Sequence, residues 1–320
     1  MEVFHIHHPL DPSTVPAGPV VLAMGFFDGV HRGHQAVIAR AKEEAARRGV
    51  PLAVLTYDKL PGLVYSAYPQ GIHYLATNRR KLALLEQLGV DRVYLVDFTA
   101  KLGSLPPQEF VDDYLLALGA VAVVAGFDHT YGPKEVATMD RLPDYAAGRF
   151  AVITVPAQTA AAAKISSTRI RHLVDQGQVR EAADLLGYWY KTSGIVVHGF
   201  ARGRTLGFPT ANVDWDCRER IPGVGVYAVR FFVDGHWYQG MASVGYNVTF
   251  GSDNQKTIEV TIFDFNANIY GEHVKVEWVT YLRGEVKFSG KEALIAQLKQ
   301  DEQAARRLLA TERFPLADLD

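Results

Sequence analysis

Two histidines three residues apart follow the first strongly apolar segment of this 320-residue sequence. Residues 25–34 read GFFDGVHRGH and lead into a stretch with helical spacing. Ligands bind at the carboxyl ends of strands in open α/β sheets, and a helix N-terminus favours anions. His31 and His34 can contact one anion there and stabilise a phosphoryl- or nucleotidyl-transfer transition state. A turn with surface histidines and a metal pair are the alternatives, although no Cys or Glu-x-x-His partner lies nearby.

Hydroxyl and guanidinium groups are concentrated at residues 165–171, which read ISSTRIR. Ser166, Ser167 and Thr168 can cap a helix or bind phosphate oxygens, and Arg169 adds a cationic fork for an oxyanion. Taken alone, this segment is better explained as an ordinary helix cap with surface arginines.

A glycine-rich stretch in the second half, residues 199–212, reads GFARGRTLGFPTAN. Its glycines permit a loop whose N–H groups bind anions, and Arg202 and Arg204 add positive charge. Thr210 and Asn212 face one side if this segment is extended, and their oxygens suit a hard cation such as Mg²⁺. A glycine-rich surface loop leading into a strand is the simpler interpretation of the composition alone.

Strict alternation over residues 257–265, TIEVTIFDF, predicts a strand with one apolar face made by Ile258, Val260 and Ile262. Glu259 lies on the opposite face with aromatic residues. A carboxylate there can accept a proton from a substrate hydroxyl while an aromatic ring system packs nearby. A charged residue on a solvated strand face is the alternative.

The histidine segment and the hydroxyl segment together resemble nucleotidylyltransferases, and more specifically the adenylyltransferase half of bacterial bifunctional riboflavin kinase/FAD synthetases. Residues 126–132, GFDHTYG, also resemble a segment of that family. The resemblance implies that His31 and His34 hold the ATP phosphates and stabilise the α-phosphorus, while FMN attacks without a covalent enzyme intermediate. Asp128 is either a flavin contact or a structural cap. The other residues expected at ATP or pyrophosphate are Gly25, Phe26, Asp28, Gly29, Ser166, Ser167, Thr168 and Arg169.

The second half resembles riboflavin kinase in five segments: 203–212, 225–228, 259–265, 270–271 and 282–288. The resemblance implies that Thr210 and Asn212 bind metal and phosphate and that Glu259 activates the ribityl 5′-hydroxyl toward the γ-phosphate of ATP. It also implies a flavin or phosphate contact at Arg283. The expected phosphate loop contains Arg202, Gly203 and Arg204.

Two departures from the family pattern stand out. Residues 56–61 read TYDKLP where many members carry Pro-His-Pro, and residues 244–251 read VGYNVTFG without the usual proline. The missing histidine motivates an alternative function, a riboflavin kinase with a weak or inactive adenylyltransferase domain. A flavin-binding regulator without turnover is a further alternative, which the general base at Glu259 disfavours.

The elements that position these residues differ between the two halves. Short runs rich in Val and Leu alternate with helical patterns and predict a parallel, Rossmann-like α/β sheet in a domain spanning residues 1–186. The predicted strands are Val20–Met24, Leu52–Tyr57, Val93–Val96, Val121–Ala125 and Val152–Val155. The predicted helices are Gln35–Arg48, Asn78–Leu88 with Thr77 as cap, one opened by Pro106 and Pro107 that runs to Leu118, and two short ones split by Gly177.

Residues 187–320 carry successive strands without helices between them, which predicts an antiparallel barrel with a C-terminal helix. The predicted strands are Gly225–Val233, His236–Val244, Thr257–Phe265 and His273–Thr280. Asp234-Gly235 is a type I′ turn signal. Ser289 and Glu292 form a predicted capping box for the last helix. One face of that helix is expected to pack on the barrel through Leu294, Ile295, Leu298, Ala305, Leu308 and Leu309.

Composition excludes some classes and supports others. Lys and Arg total 33 against 35 Asp and Glu, a formal charge of −2, which argues against nucleic-acid partners and a polybasic membrane anchor. No secretory signal or 18-residue apolar stretch is visible. The single cysteine, Cys217, fits a reducing compartment, so a cytoplasmic enzyme is expected. Its expected ligands are riboflavin, FMN, FAD, ATP and Mg²⁺; the oligomeric state is left open.

Overall fold

The computed structural model describes residues 1–68, 71–199, 207–246 and 256–312. The chain forms two compact units. The first contains Met1–Ile72 and Ala76–Ser167, and the second contains His73–Leu75 and the chain from Thr168 onward. The domain boundary expected after residue 186 stays a prediction.

The first unit is an α/β layer structure. A 3₁₀ turn spans Pro12–Thr14 and a π-helical turn spans Val111–Leu116. Its strands and helices, in chain order, are β1 Glu2–Ile6, β2 Val20–Met24, α1 Arg32–Arg48, β3 Leu52–Tyr57, α2 Gly62–Tyr65, α3 Asn78–Gln87, β4 Arg92–Val96, α4 Ala100–Gly103, α5 Pro107–Phe110, β5 Ala120–Gly126, α6 Leu142–Ala146, β6 Ala151–Val155, β7 Thr159–Ala160 and β8 Ala163–Lys164.

Six of these strands form one sheet in the order β1-β4-β3-β2-β5-β6, and all of its pairings are parallel. Every residue of β2 and β3 is buried, which explains their continuous apolar sequences. The predicted parallel α/β sheet is confirmed. Strand β1 was not predicted, because its sequence EVFHI has no apolar run and only Ile6 is buried.

The helix predictions hold except at one point. Thr77 caps α3 through its side chain, as expected. The helix predicted from Pro106 to Leu118 is observed from Pro107 to Leu116, but its second part, Val111–Leu116, has π rather than α geometry. Val111, Tyr114 and Leu115 are buried in this π segment.

The second unit is a closed antiparallel barrel with helices. Its elements are α7 Ser167–Asp175, α8 Val179–Leu186, β9 Tyr190–Val197, β10 Ala211–Trp215, β11 Gly225–Val233, β12 His236–Tyr246, β13 Lys256–Ile262, β14 His273–Arg283 and α9 Lys291–Thr311.

The barrel closes in the order β10-β13-β12-β11-β14-β9, which confirms the predicted architecture. Asp234 and Gly235 both have positive φ, 50° and 78°, as the predicted hairpin turn between β11 and β12 requires. The sequence did not reveal β9, whose residues YKTSGIVV mix polar and apolar types without strict alternation. Strand β10 was anticipated only as the strand into which the glycine-rich segment leads, without predicted limits.

Helix α9 packs on the barrel through Ile295, Leu298, Ala305 and Leu309, as expected. The expectation for Leu308 is wrong, because this side chain is exposed. The predicted capping box is wrong, because Gly290 is the N-cap and no side chain caps the helix. This start places Glu292 at the second helical position, so Ser289 and Glu292 are one residue out of register for a box. None of the described helices is both long and apolar enough to span a membrane.

Candidate active sites

His31 and His34 lie at the junction between β2 and α1. His31 is the N-cap of α1, and its Nδ1 accepts a hydrogen bond from the His34 backbone N–H at 3.3 Å. The two imidazoles stack with ring centroids 3.6 Å apart and an interplanar angle of 14°. His34 Nδ1 is buried and has no hydrogen-bond partner among the described residues. The predicted pair therefore forms one unit at the carboxyl edge of the sheet.

The charge state of His34 is set by its surroundings. Burial holds the pKa of His34 well below its usual value, and the nearby charges of His31 and Lys81 lower it further. The free imidazole is therefore neutral at pH 7. A bound polyphosphate would oppose this shift, because negative charge favours the imidazolium form. The pair can thus gain positive charge where an anion arrives.

The loop before the histidines has an unusual backbone. Phe27 adopts a left-handed conformation with φ of 56°, and its ring meets His34 edge-on at 5.3 Å between centroids. A Cβ at Gly25 would lie 2.9 Å from the Phe27 ring, so this position needs glycine. Gly29 has a φ of 77° in the same loop. The glycines shape the loop that supports His34.

Asp28 is buried in this loop and stabilises it through two hydrogen bonds. Its carboxylate accepts a hydrogen bond from the Ala76 N–H at 3.3 Å, and its carbonyl accepts one from Ser167 Oγ at 3.0 Å. The chain thus brings Ser167, at the start of α7, to the histidine loop. Ser166 is half-buried beside it, whereas Thr168 and Arg169 belong to the second unit. The nucleotide contacts of these residues and of Phe26 stay predictions.

Sequence reasoning missed Lys81, which is only 2% exposed. Its ammonium donates hydrogen bonds to Tyr57 O at 2.8 Å, Thr56 Oγ1 at 3.3 Å and Phe26 O at 3.4 Å. Burial lowers the pKa of Lys81 to about 8, although Asp28 and Asp58 oppose this shift. The available signal was a lysine on the apolar face of α3, where Lys81 is buried together with Leu84 and Leu85.

The edge after β3, where the family histidine is missing, carries Asp58. Its carboxylate accepts a hydrogen bond from the Phe98 N–H at 2.8 Å, and its carbonyl accepts one from Asn78 Nδ2 at 2.7 Å. Asp58 is therefore used to join three segments of backbone.

Asp128 is exposed after β5 and forms an ion pair with Lys164. The Lys164 ammonium also lies over the Phe127 ring, 4.8 Å from its centroid. Burial lowers the pKa of the neighbouring His129 to about 4. The contact that the resemblance implies between Asp128 and flavin stays a prediction.

In the barrel, Asn212 on β10 and Glu259 on β13 are directly opposite each other. Opposed residues on antiparallel strands share a face, with Cα atoms about 5 Å apart. Both side chains are half-buried, whereas the flanking Ile258 and Val260 are buried, as the predicted alternation requires. Thr210 lies two residues before Asn212 and is also half-buried. The structure therefore brings Asn212 and Glu259 together, with Thr210 two residues before Asn212 in the chain.

A glycine makes room for the Asn212 side chain. A Cβ at Gly199 would lie 2.1 Å from Asn212 Nδ2, closer than any real contact. Both residues line a cavity of about 840 Å³ within the second unit, whose charged lining includes Arg220 and Lys256 as well as Asp175 and Glu219. The predicted phosphate-loop residues Arg202, Gly203 and Arg204 lie outside the described residues.

Arg283 is held by an ion pair at the end of β14. Its guanidinium donates to both carboxylate oxygens of Asp301 at distances of 2.7 to 3.0 Å, and Asp301 is buried on α9. Gln297 Nε2 also donates to this carboxylate at 2.8 Å. Arg283 thus ties α9 to the barrel, and its flavin or phosphate contact stays a prediction.

Comparison with known families matches each unit separately. The family described as FAD synthetase matches residues 15–169, and the family described as riboflavin kinase matches residues 186–309. The chain therefore combines a nucleotidylyltransferase-like sheet domain with a flavokinase barrel.

Curated relatives share this whole organisation. Bifunctional riboflavin kinase/FMN adenylyltransferases from Listeria monocytogenes and Bacillus subtilis are 49% and 40% identical. These similarities cover 97% and 98% of this chain and 99% and 100% of the relatives. The Escherichia coli protein of the same name is 34% identical over 92% of this chain and 94% of its own length. The chain belongs to the bifunctional riboflavin kinase/FMN adenylyltransferase family.

One solved structure covers 95% of this chain and 99% of its own, with a TM-score of 0.88 and 38% identity. It is described as a macrolide-efflux protein from Streptococcus pneumoniae, a name that applies to that protein. Membership of the family and the presence of both regions support the predicted bifunctional enzyme, not the alternative of a kinase with an inactive first domain.

Proposed function

We propose that the His31–His34 pair is the site at which FMN is adenylylated by ATP. A phosphate oxygen of FMN attacks the α-phosphorus, the bond from that phosphorus to the bridging oxygen breaks, and pyrophosphate leaves. The two imidazoles donate hydrogen bonds to the phosphate oxygens and stabilise the added charge. Gly25, Phe26, Asp28 and Gly29 shape the nucleotide loop. The residues assigned to the triphosphate or pyrophosphate are Ser166, Ser167, Thr168 and Arg169.

The stacked imidazoles, with an unpartnered buried Nδ1 on His34, are the observation that supports this proposal. Its test is the double variant His31→Ala/His34→Ala supplied with FMN and Mg-ATP. FAD formation should fall by about 10³-fold, the scale for lost transition-state donors. Phosphorylation of riboflavin by the same preparation should stay near the wild-type rate. Equal losses in both reactions would contradict the assignment.

We propose that Glu259 is the general base of riboflavin phosphorylation in the barrel. Its carboxylate takes the proton of the ribityl 5′-hydroxyl, the oxygen bonds to the γ-phosphorus of ATP, and ADP leaves. The pairing of Glu259 with Asn212 across β10 and β13 supports this proposal, because it fixes a base beside a phosphate-binding position. Glu259→Gln should lower FMN formation by about 10²- to 10⁴-fold while FMN is still converted to FAD. Wild-type kinase activity in this variant would exclude the role.

The donor set beside Glu259 fits Mg²⁺. Thr210 and Asn212 offer a hydroxyl and an amide oxygen, the hard ligands that this ion prefers, and the space at Gly199 leaves the Asn212 side chain room. Bound Mg²⁺ would neutralise charge on the ATP phosphates. Thr210 and Asn212 would hold it with phosphate oxygens and water. Arg202, Gly203 and Arg204 are assigned to the same phosphates, and Arg283 and Asp128 to flavin.

Several wider assignments belong with these proposals. The adenylyltransferase domain is assigned to residues 1–186 and the kinase domain to residues 187–320. The substrates are the small molecules riboflavin, FMN and ATP, with no nucleic-acid or membrane partner. We also propose a cytoplasmic location, which ATP use and the exposed free thiol of Cys217 support, because such a thiol suits a reducing compartment.

A further inference from the structure

Lys81 places a buried ammonium directly beneath the loop that carries the histidine pair. Its three acceptors are uncharged oxygens at the carboxyl ends of β2 and β3, those of Phe26, Thr56 and Tyr57. The ammonium also lies over the Phe26 ring, 4.8 Å from its centroid. Removing an ammonium from water is unfavourable unless its donors are well satisfied. A position that needed only bulk would be served better by leucine.

The Phe26 carbonyl receives two buried donors. Thr56 Oγ1 donates to it at 3.0 Å and Lys81 Nζ at 3.4 Å, and neither donor side chain is more than 2% exposed. A carbonyl oxygen has two lone pairs, so both bonds are compatible. Together they fix the orientation of the peptide that joins Phe26 to Phe27.

That peptide precedes the left-handed Phe27. Bulky residues adopt positive φ only where surrounding contacts impose it. The Phe27 ring is the edge contact of the His34 imidazole. The orientation of the Phe26 carbonyl therefore determines where the Phe27 backbone places its ring, and that ring contacts the His34 imidazole.

We propose that Lys81 is a positioning residue of the adenylyl-transfer site, which holds the Phe26 carbonyl so that Phe27 supports His34 in its stacked geometry. This inference rests on the proposed role of His34. It also explains how the edge after β3 is organised without a histidine, since the same ammonium binds the Tyr57 carbonyl there.

The test compares Lys81→Met, Thr56→Val and His34→Gln in steady-state FMN adenylylation. Lys42→Met is the matched control, because Lys42 donates to the Leu88 carbonyl at 3.0 Å on the surface of the same unit. Lys81→Met should lower kcat by about 100-fold, the cost of a displacement near 1 Å. KM for FMN should stay within about twofold, because ground-state binding is not what the ammonium orients. Thr56→Val should show a smaller loss of the same kind, and Lys42→Met none.

Lys81→Arg should recover part of kcat, since it restores charge and donors. A folded Lys81→Met or Thr56→Val protein with wild-type kcat overturns the inference. So does a loss confined to KM, or an arginine variant as impaired as the methionine variant. If circular dichroism shows that Lys81→Met does not fold, the kcat of Thr56→Val alone tests the inference. An active His34→Gln enzyme would instead overturn the proposed role of His34, whereas an inactive one beside active Lys81 and Thr56 variants would overturn this inference alone.

Discussion

The two proposed active-site regions hold their polar groups on different scaffolds. In the first unit, His31 and His34 follow a loop whose backbone is imposed by buried contacts from α3 and β3. In the barrel, Asn212 and Glu259 project from two strands whose backbone hydrogen bonds fix the spacing. Loop sites depend on distant supports, whereas strand sites inherit their geometry from the pairing register.

Electrostatics separates the two regions as well. The first site depends on a buried ammonium and a neutral imidazole, both with lowered pKa values. In the barrel, the half-buried Glu259 carboxylate lies opposite the neutral Asn212 amide, and the cavity that Asn212 lines carries both acidic and basic side chains. The first region should therefore respond to pH and to buried substitutions, and the second to changes in the space around Asn212.

The largest effect expected is a pH dependence of stability that comes from Lys81. Its pKa falls from 10.5 in the unfolded chain to about 8 in the folded protein. The unfolded chain thus binds more protons between these values, and stability should rise as pH increases from 8 to 10.5. Below pH 8 the full cost of the buried charge is present. Two and a half pKa units correspond to about 3 kcal/mol.

Urea unfolding of the wild type and Lys81→Met at pH 7.5 and pH 10.5 measures this effect as the difference between the two proteins, which cancels groups that titrate in both. A wild-type stability that falls relative to Lys81→Met over this range would contradict the sign. Lys42→Met provides the exposed-lysine control.

The barrel site should be sensitive to a single methyl group at Gly199. Gly199→Ala places a Cβ 2.1 Å from Asn212 Nδ2, so the side chain must move. We expect riboflavin phosphorylation to fall about 100-fold, while FMN adenylylation stays unchanged. Gly290→Ala is the control, because a Cβ there meets no atom within 4 Å. Equal activity of the two variants would show that Asn212 does not need its present position.

Much of this architecture could be predicted from the sequence because several strands are either continuously apolar or alternate clearly between apolar and polar residues. β2 and β3 are buried on both faces, and their apolar runs predicted the observed limits Val20–Met24 and Leu52–Tyr57. β13 buries Ile258 and Val260, and its alternation predicted which side Glu259 occupies. The predicted continuation to Phe265 is wrong, because the strand ends at Ile262, and Phe263, expected beside Glu259, is buried in the core instead. Strands β1 and β9 have weaker hydrophobic patterns, so their own sequences do not identify them. They are stabilised by pairing with distant segments of the chain.

The candidate site residues could be named from the sequence, but the residues that support them could not. Histidines, hydroxyls and the carboxylate come in short motifs with fixed spacing. Lys81 lies 50 residues from His31 in sequence, and only the fold places it below that loop. Arg283 shows the reverse, because a residue expected at flavin or phosphates is bound to Asp301, a partner 18 positions away.

An Arg283 variant distinguishes support from ligand contact in the barrel. Arg283→Met leaves the buried Asp301 carboxylate without its cation, which should lower the free energy of unfolding of this unit by about 2–3 kcal/mol. Thermal or urea unfolding measures this loss. Arg218→Met removes an exposed ion pair with Asp216 and should cost less than about 1 kcal/mol. Unchanged stability with a raised KM for riboflavin would assign Arg283 to flavin instead.

The smallest effect is expected from the loop glycine of the first site. Gly25→Ala brings a Cβ to 2.9 Å from the Phe27 ring, which is 1% exposed and cannot swing away. A shift of a few tenths of an ångström passed to His34 should lower FMN adenylylation about tenfold and leave riboflavin phosphorylation unchanged. Gly290→Ala is again the control, since a Cβ there meets no atom within 4 Å. Because Gly25 acts on the same ring that Lys81 supports from below, combining Gly25→Ala with Lys81→Met should cost less than the product of the two losses. Fully multiplicative losses would mean that the two residues reach His34 by separate routes.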